Sequence, residues 1–213
     1  MTNQKPIQAL IYDLDGTLVD SRRDLYAAAH AMLTHFGLAP KTEEEVQGYI
    51  GLGVRHLVNR TLDGHEELLE EGFRVFCDYY HRHLTDFTTL YQGVTEVLEH
   101  FRHKKQFVLT NKLDTEARMI VQQLGIARYF TEVIGDAGGM PLKPDPSRLL
   151  AILDTYGLGR QEAVMVGDSC IDVETGQKAG VTTVFLSSGF GRKGTIRPDI
   201  TADRFTDLMD YFI

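Results

Sequence analysis

Ile7–Asp20 reads I-Q-A-L-I-Y-D-L-D-G-T-L-V-D, and the fold turns on how this stretch is understood. From Ile7 to Tyr12 it is mostly apolar and β-favouring, as in a strand buried on both faces of a parallel sheet. It then delivers Asp13 and Asp15, two residues apart. Side chains alternate along extended backbone, so both carboxylates are expected to leave the strand end on the same side. Two carboxylates converging at the mouth of a buried strand repel unless a cation or a proton lies between them. Gly16 permits a sharp turn, and Thr17 offers a hydroxyl beside the acids. By itself the stretch also fits a strand followed by an ordinary polar turn, because Asp and Gly are common turn residues.

Downstream the apolar period changes. Leu25, Ala28, Ala29, Met32, Leu33 and Phe36 fall at helical spacing, with Ser21 as the expected N-cap and Gly37 as the stop. Thr42–Glu45 matches a capping box. Val54, Leu57, Val58 and Leu62 predict a third helix, and Leu69, Phe73, Phe76, Tyr80 and Leu84 a longer fourth, whose aromatic residues read as helical core. Beyond that block strand and helix alternate. Strands are expected at Gln106–Thr110, Glu132–Gly135, Ala163–Gly167, Thr182–Ser187 and, more weakly, Asp199–Thr201. Helices are expected at Val94–Phe101, Ala117–Leu124, Ser147–Tyr156, Ile171–Ala179 and the C-terminus. Alternation of this kind implies right-handed crossovers and a doubly wound, Rossmann-like α/β core with a parallel sheet. The helical block, residues 21–86, is then an insertion between the first strand and the rest, leaving residues 1–20 and 87–213 as the core.

Open parallel sheets bind ligands beyond the carboxyl ends of their strands. The first strand ends in Asp13 and Asp15, the second in Thr110-Asn111-Lys112, and the fourth in Gly167-Asp168-Ser169 with Asp172 one turn on. The loop after the third carries Lys143-Pro144-Asp145-Pro146. Asp13, Asp15 and Asp168 supply hard oxygen ligands suited to Mg²⁺. Thr110 and the backbone N–H of Asn111 are able to hydrogen-bond phosphate oxygens, and Lys143 is a cation that offsets carboxylates and phosphoryl group together. Anion handles beside a carboxylate–metal pair point to phosphoryl transfer, and a carboxylate nucleophile divides the displacement into two steps.

Composition bounds the alternatives. The 213 residues suffice for one sizeable core or for a core plus a small second domain, and 43% hydrophobic with 24% charged content is that of a soluble globular protein. A formal net charge of −8 argues against a nucleic-acid surface. No run approaches a membrane span, the N-terminus does not read as a signal peptide, and Cys77 and Cys170 stand far apart. The expectation is therefore a cytoplasmic protein, monomer or homodimer, with reduced thiols and no membrane or nucleic-acid partner. His81, His83, His100 and His103 lie at spacings that read as solvated helix surface rather than a metal site.

The segments D-L-D-G-T-L at Asp13–Leu18, T-N at Thr110–Asn111, K-P at Lys143–Pro144 and G-D-S-C-I-D at Gly167–Asp172 resemble the motifs of the haloacid dehalogenase superfamily of phosphohydrolases. The helical insertion resembles that superfamily's small cap. L-V-D-S, T-N-K and K-P-D-P are most similar to its phosphoglycolate phosphatase branch, although Leu113-Asp114 stands where that branch often has Pro. The resemblance implies that Asp13 is the nucleophile and that Asp15 protonates the leaving oxygen and later activates water. It implies Mg²⁺ held by Asp13, the Asp15 carbonyl and Asp168, with Asp172 in support, and phosphoryl oxygens held by Thr110, Asn111 and Lys143. The implied substrate is a small phosphorylated metabolite, phosphoglycolate first. A phosphomutase or a pyrophosphatase on the same framework is the alternative, with Thr17, where mutases often carry Val, favouring hydrolysis. A phospho-accepting receiver module would be smaller and would lack the insertion.

Such chemistry benefits from a lid that excludes bulk water, here joined through linkers near Val19–Arg23 and Thr85–Tyr91. Tyr49–Arg55 is its expected substrate-facing loop, because Gly51 and Gly53 allow close backbone approach and Arg55 offers a cation for an anionic substrate end. The same Arg55 also fits an exposed helix face. Gly189-Phe190-Gly191-Arg192 reads as a flexible loop near the site, without an assigned role.

Overall fold

The computed structural model describes residues 4–213. The chain opens with β1 (Ala9–Tyr12), β2 (Val19–Asp20) and four helices, α1 (Arg22–His35), α2 (Glu43–Gln47), α3 (Val54–Leu62) and α4 (Leu69–Arg82). It returns through β3 (Thr89–Leu90), α5 (Val94–His100), β4 (Lys105–Leu113), α6 (Asp114–Gln123), β5 (Glu132–Asp136) and α7 (Ser147–Thr155). It closes with β6 (Ala163–Gly167), α8 (Cys170–Ala179), β7 (Thr182–Leu186), β8 (Ile200–Ala202) and α9 (Leu208–Tyr211).

Six strands form one sheet in the order β5-β4-β1-β6-β7-β8, and every neighbouring pair is parallel. The expected α/β architecture with its helical insertion is thus the one observed. Alternation along the strands divides the core. Leu10 and Tyr12 of β1, with Val108, Val164 and Val166, pack on one face. Ala9 and Ile11, with Phe107, Leu109 and Met165, pack on the other. Helices α5 and α6 cover the first face, and α7 covers the second. Because β1 is covered on both faces it is apolar throughout, which is why it stood out in the sequence.

The chain leaves β1 for β4 and β5 on one side, then crosses to β6, β7 and β8 on the other. That reversal opens a crevice at the carboxyl ends of β1, β4 and β6. Register then decides what occupies it. Tyr12 lies level with Val108 and with Val166, so Asp13, Thr110 and Asp168 all emerge at one rim.

The linkers of the insertion are more ordered than expected. They pair with each other as a two-stranded antiparallel ribbon, Val19 opposite Leu90 and Asp20 opposite Thr89. Asp24, buried at the start of α1, fastens them. Its carboxylate accepts from the Thr88 hydroxyl at 2.6 Å, the Thr88 N–H at 2.7 Å and the Phe87 N–H at 3.1 Å. Ser21 departs from its expected role. It stands at the N-cap position of α1 but makes no capping bond, and its hydroxyl donates instead to Asp15 Oδ1 at 2.5 Å. A carboxylate is the stronger acceptor for that hydroxyl, whereas a cap would require the hydroxyl to accept from a backbone N–H. The Thr42–Glu45 capping box forms as expected. β4 runs past Thr110 to Leu113, with a register shift between Leu109 and Leu113. The polar T-N-K residues hid this extension from a reading based on apolar runs.

Candidate active site

Four chain segments meet at the rim. Asp13, Asp168 and Asp172 bring carboxylate oxygens within 4.8 Å of one another. All three are buried, and Lys143 enters among them. Its Nζ lies 2.8 Å from Asp13 Oδ1 and 2.7 Å from Asp172 Oδ1. The approach to Asp13 is short but poorly aligned, so Oδ1 has no directed hydrogen-bond donor among the described residues.

One ammonium does not balance three buried carboxylates. Burial pushes Asp168 up to about 8, and the Asp172 and Asp13 charges push the same way. Burial also raises Asp13 to about 6, against the opposing pull of Lys143. An under-coordinated carboxylate oxygen and a surplus of negative charge are what a hard divalent cation relieves, so this donor set fits Mg²⁺.

Local sequence explains the convergence. Gly167 leaves room for Asp172 to fold back, since a Cβ there would overlap the Asp172 carboxyl. Asp172 in turn accepts from the Ser169 hydroxyl at 2.7 Å and the Ser169 N–H at 3.1 Å, capping α8. Gly16 adopts a φ of +86° and abuts Asp168, where any Cβ would collide with the carboxylate. The spacing G-D-S-x-x-D is therefore a folding device as well as a ligand set. The 189–192 loop is not a free loop near the site but part of its wall. The Gly191 N–H donates to Asp168 Oδ2 at 2.7 Å, and both Gly189 and Gly191 pass too close to Asp168 for a side chain.

Thr110 and Asn111 sit at the end of β4 as expected, both buried. The Asn111 side chain is a fastener. It donates to Gly51 O and to Lys143 O, each at 2.9 Å, and accepts from the Lys143 N–H at 2.8 Å. Arg148, which the sequence did not single out, completes this knot. Buried on α7, it donates to Asn111 Oδ1 at 2.7 Å, Gly135 O at 2.9 Å, Thr110 O at 3.0 Å and Pro141 O at 3.1 Å. Its only sequence signal was an Arg on the first turn of an otherwise apolar helix, a place normally read as surface.

Asp15 does not do what strand alternation suggested. β1 ends at Tyr12, so Asp13 and Asp15 lie in the turn beyond it, and the Asp15 carboxylate is absent from the Asp13–Asp168–Asp172 cluster. It pairs instead with Lys112, whose Nζ lies 2.9 Å from Oδ2 and 3.0 Å from Oδ1. The Asp15 carboxylate thus has its own lysine, whereas Asp13 shares Lys143 with Asp172. Burial opposes the Lys112 charge, but Asp15 outweighs it and holds the amine above its ordinary value. Lys112 was visible in T-N-K only as a motif letter.

The helical insertion lies over this rim. A cavity between the two is lined by Asp13, Asp15, Thr110, Asn111 and Lys112 from the core and by Ile50, Gly51, Gly53, Phe76 and Tyr80 from the insertion. Gly51 and Gly53 approach as expected, with φ of +111° and +92° and the Gly51 carbonyl on Asn111. Phe76 and Tyr80 are core residues of the insertion, yet they also form the cavity wall. Arg55 is a correction. It is not among the cavity-lining residues but points outward, pairing with Glu70 at 2.7 Å and lying over the Phe73 ring. Helical phase puts it on the opposite face from Val54 and Leu57, which do line the cavity. His81 is exposed on its helix as expected, and its Nδ1 lies 3.3 Å from Glu116 of α6. Both cysteines are free. Among the described residues no helix is long and apolar enough to cross a membrane.

Comparison with known proteins agrees with this geometry. A sequence model of the haloacid dehalogenase-like hydrolases matches residues 10–186. A phosphoglycolate phosphatase of Chromobacterium violaceum is 36% identical over 98% of this chain and 97% of its own. One from Aquifex aeolicus is 32% identical over 95% of both chains. The crystal structure of a predicted phosphoglycolate phosphatase from Haemophilus somnus superposes with a TM-score of 0.89 at 29% identity, covering 95% of this chain and 96% of that one. The motif residues, the sheet order and the full-length similarity to phosphatases agree, and the chain belongs to the haloacid dehalogenase-like hydrolase family.

Proposed function

We propose that this enzyme hydrolyses a small phosphomonoester, phosphoglycolate before others, through an aspartyl-phosphate on Asp13. The observation that carries the reading is Lys143 lodged between Asp13 and Asp172 at the rim that Thr110 and Asn111 complete. Relatives similar over 95% or more of this chain bear the phosphoglycolate phosphatase name, which supports putting phosphoglycolate first among the substrates.

In this reading an Asp13 carboxylate oxygen attacks phosphorus, and the P–O bond to the substrate alcohol breaks. Asp15 gives a proton to the departing oxygen, then takes one from the water that cleaves the aspartyl-phosphate and releases inorganic phosphate. The Thr110 hydroxyl and the Asn111 N–H hold phosphoryl oxygens, while Lys143 offsets charge at the attacking oxygen. Mg²⁺ held by Asp13, the Asp15 carbonyl and Asp168, with Asp172 in support, would neutralise charge on the phosphoryl oxygens. Residues 21–86 act as a cap hinged on the β2–β3 ribbon, excluding bulk water while Asp13 attacks. The composition supports a cytoplasmic setting.

The test is phosphate release from a panel of phosphomonoesters, with Mg²⁺ and with chelator, for wild type and Asp13→Asn. Release of phosphate from phosphoglycolate that both chelation and Asp13→Asn abolish is the expected result. Activity that survives either treatment overturns the mechanism, and isomerisation without phosphate release would indicate a mutase instead.

A further inference from the structure

The proposed chemistry gives two polar groups in the cavity, Tyr80 and Lys112, no contact with the substrate. The Tyr80 hydroxyl, on α4, is buried and has no hydrogen-bond partner among the described residues. An orphaned buried hydroxyl costs free energy that packing alone does not return, so its retention requires a reason. Lys112 is its neighbour, with Nζ 4.7 Å from the centre of the Tyr80 ring. The Lys112 ammonium directs its well-aligned hydrogen bonds to the two oxygens of Asp15, with the Tyr80 phenol close enough for the two groups to shift each other's proton affinity. Three N–H donors serving one carboxylate leave capacity for a further acceptor.

The surroundings select what that acceptor is. Leu25, Ile50, Val54, Leu57 and Phe76 line the wall toward the insertion with apolar side chains, and the Cys77 thiol beside them is at most a weak donor without charge. Glu116 also reaches the cavity, and its carboxylate is engaged by His81. At the opposite end Asp13 and Thr110 mark where a phosphoryl group would sit. Lysine and tyrosine thus present two donors to the alcohol portion of a bound phosphomonoester. With a net charge of −8 on the chain, a second anionic group on the substrate needs such a local cation. Burial keeps the Tyr80 phenol above its ordinary value, so it remains an O–H donor.

We infer that Lys112 and Tyr80 form a carboxylate-receiving subsite, which makes the substrates short phosphomonoesters of hydroxy acids. The inference rests on the phosphatase reading and extends it to the part of the substrate that does not react. Arg55, the cation first expected for this task, faces the other way.

The test compares kcat/KM for phosphoglycolate with that for ethyl phosphate, which has the same two-carbon backbone without the carboxylate. Wild type is expected to prefer phosphoglycolate strongly. Tyr80→Phe removes one hydroxyl that no well-aligned hydrogen bond holds among the described residues, so folding is retained. It should lower kcat/KM for phosphoglycolate about tenfold, mainly through KM, and leave ethyl phosphate within about twofold. Lys112→Met also removes the partner of Asp15 and should slow both substrates. Its preference ratio should nevertheless fall by about a hundredfold relative to wild type. An unchanged ratio in both variants overturns the subsite, as does a wild type that turns over both substrates without preference. A wild type that releases phosphate from neither overturns the phosphatase reading itself, and the subsite with it.

Discussion

Replacing Arg148 by Met removes a buried guanidinium that makes four hydrogen bonds, to Thr110 O, Gly135 O, Asn111 Oδ1 and Pro141 O. No carboxylate is among these partners, and burial holds the guanidinium below its ordinary value, with Asp136 and Asp13 opposing from a distance. Hydrogen bonds from a charged donor each contribute about 1.5–3 kcal/mol, so the four sum to roughly 6–12 kcal/mol. Desolvating the cation costs several kcal/mol of that, and the carbonyls left behind retain some access to water. A net loss of about 3–5 kcal/mol remains. For a chain of this length each kcal/mol moves Tm by about 2–4 °C, giving a drop of roughly 6–20 °C by differential scanning fluorimetry. Function should suffer separately, because Arg148 and Lys143 share Asn111 Oδ1 as an acceptor. A shift of about an ångström in that turn costs about a hundredfold in kcat/KM. Arg148→Lys keeps the charge but presents a compact ammonium that does not span four acceptors, so it should fall between wild type and Met. An Arg148→Met protein that melts within about 2 °C of wild type, with unchanged kcat/KM, would refute the view that this side chain assembles the site.

Gly16→Ala forces a side chain into a left-handed residue at φ +86° and against the Asp168 carboxylate. Strain of about 1–3 kcal/mol should appear in urea denaturation, together with near-complete loss of phosphatase turnover. Asp24→Ala leaves the Phe87 N–H and the Thr88 N–H and hydroxyl without their acceptor. It should destabilise the fold by about 3 kcal/mol in the same assay, and a change under about 0.5 kcal/mol would show that the ribbon needs no such clasp. pH provides a test through the acid cluster, where burial raises Asp13 to about 6 against the pull of Lys143, and burial with the Asp172 and Asp13 charges raises Asp168 to about 8. A raised carboxyl pKa in the folded state favours the protonated form. Its contribution to metal-free stability is therefore present below about pH 4 and is lost as pH rises through about 6 and then about 8. Thermal melts with and without Mg²⁺ should show a larger gain from the ion at pH 8 than at pH 5, and equal gains would count against these carboxylates as its site.

Sequence alone determined the architecture of this protein and which polar residues gather at its rim. Ile7–Tyr12, Ala163–Gly167 and their neighbours are apolar because a doubly covered sheet requires it, and that requirement is written locally. Asp13, Thr110, Asn111, Lys143, Asp168 and Asp172 could be read because each lies near or beyond the carboxyl end of a strand, and parallel strands deliver such residues to one edge whatever the details. Side-chain pairing was a different matter. Whether Asp15 turns to Asp13 or to Lys112 depends on a contact across 97 residues of sequence, which no local pattern encodes. The same holds for Arg148 and for Tyr80, whose residue types suggest surface and core until the folded chain encloses them. Arg55 shows the converse, a cation placed by helical phase on the outer face, with Glu70 in reach. Strand ends are fixed by short-range geometry, but the partner of a buried charge is chosen by whichever groups the tertiary fold shuts away from water beside it.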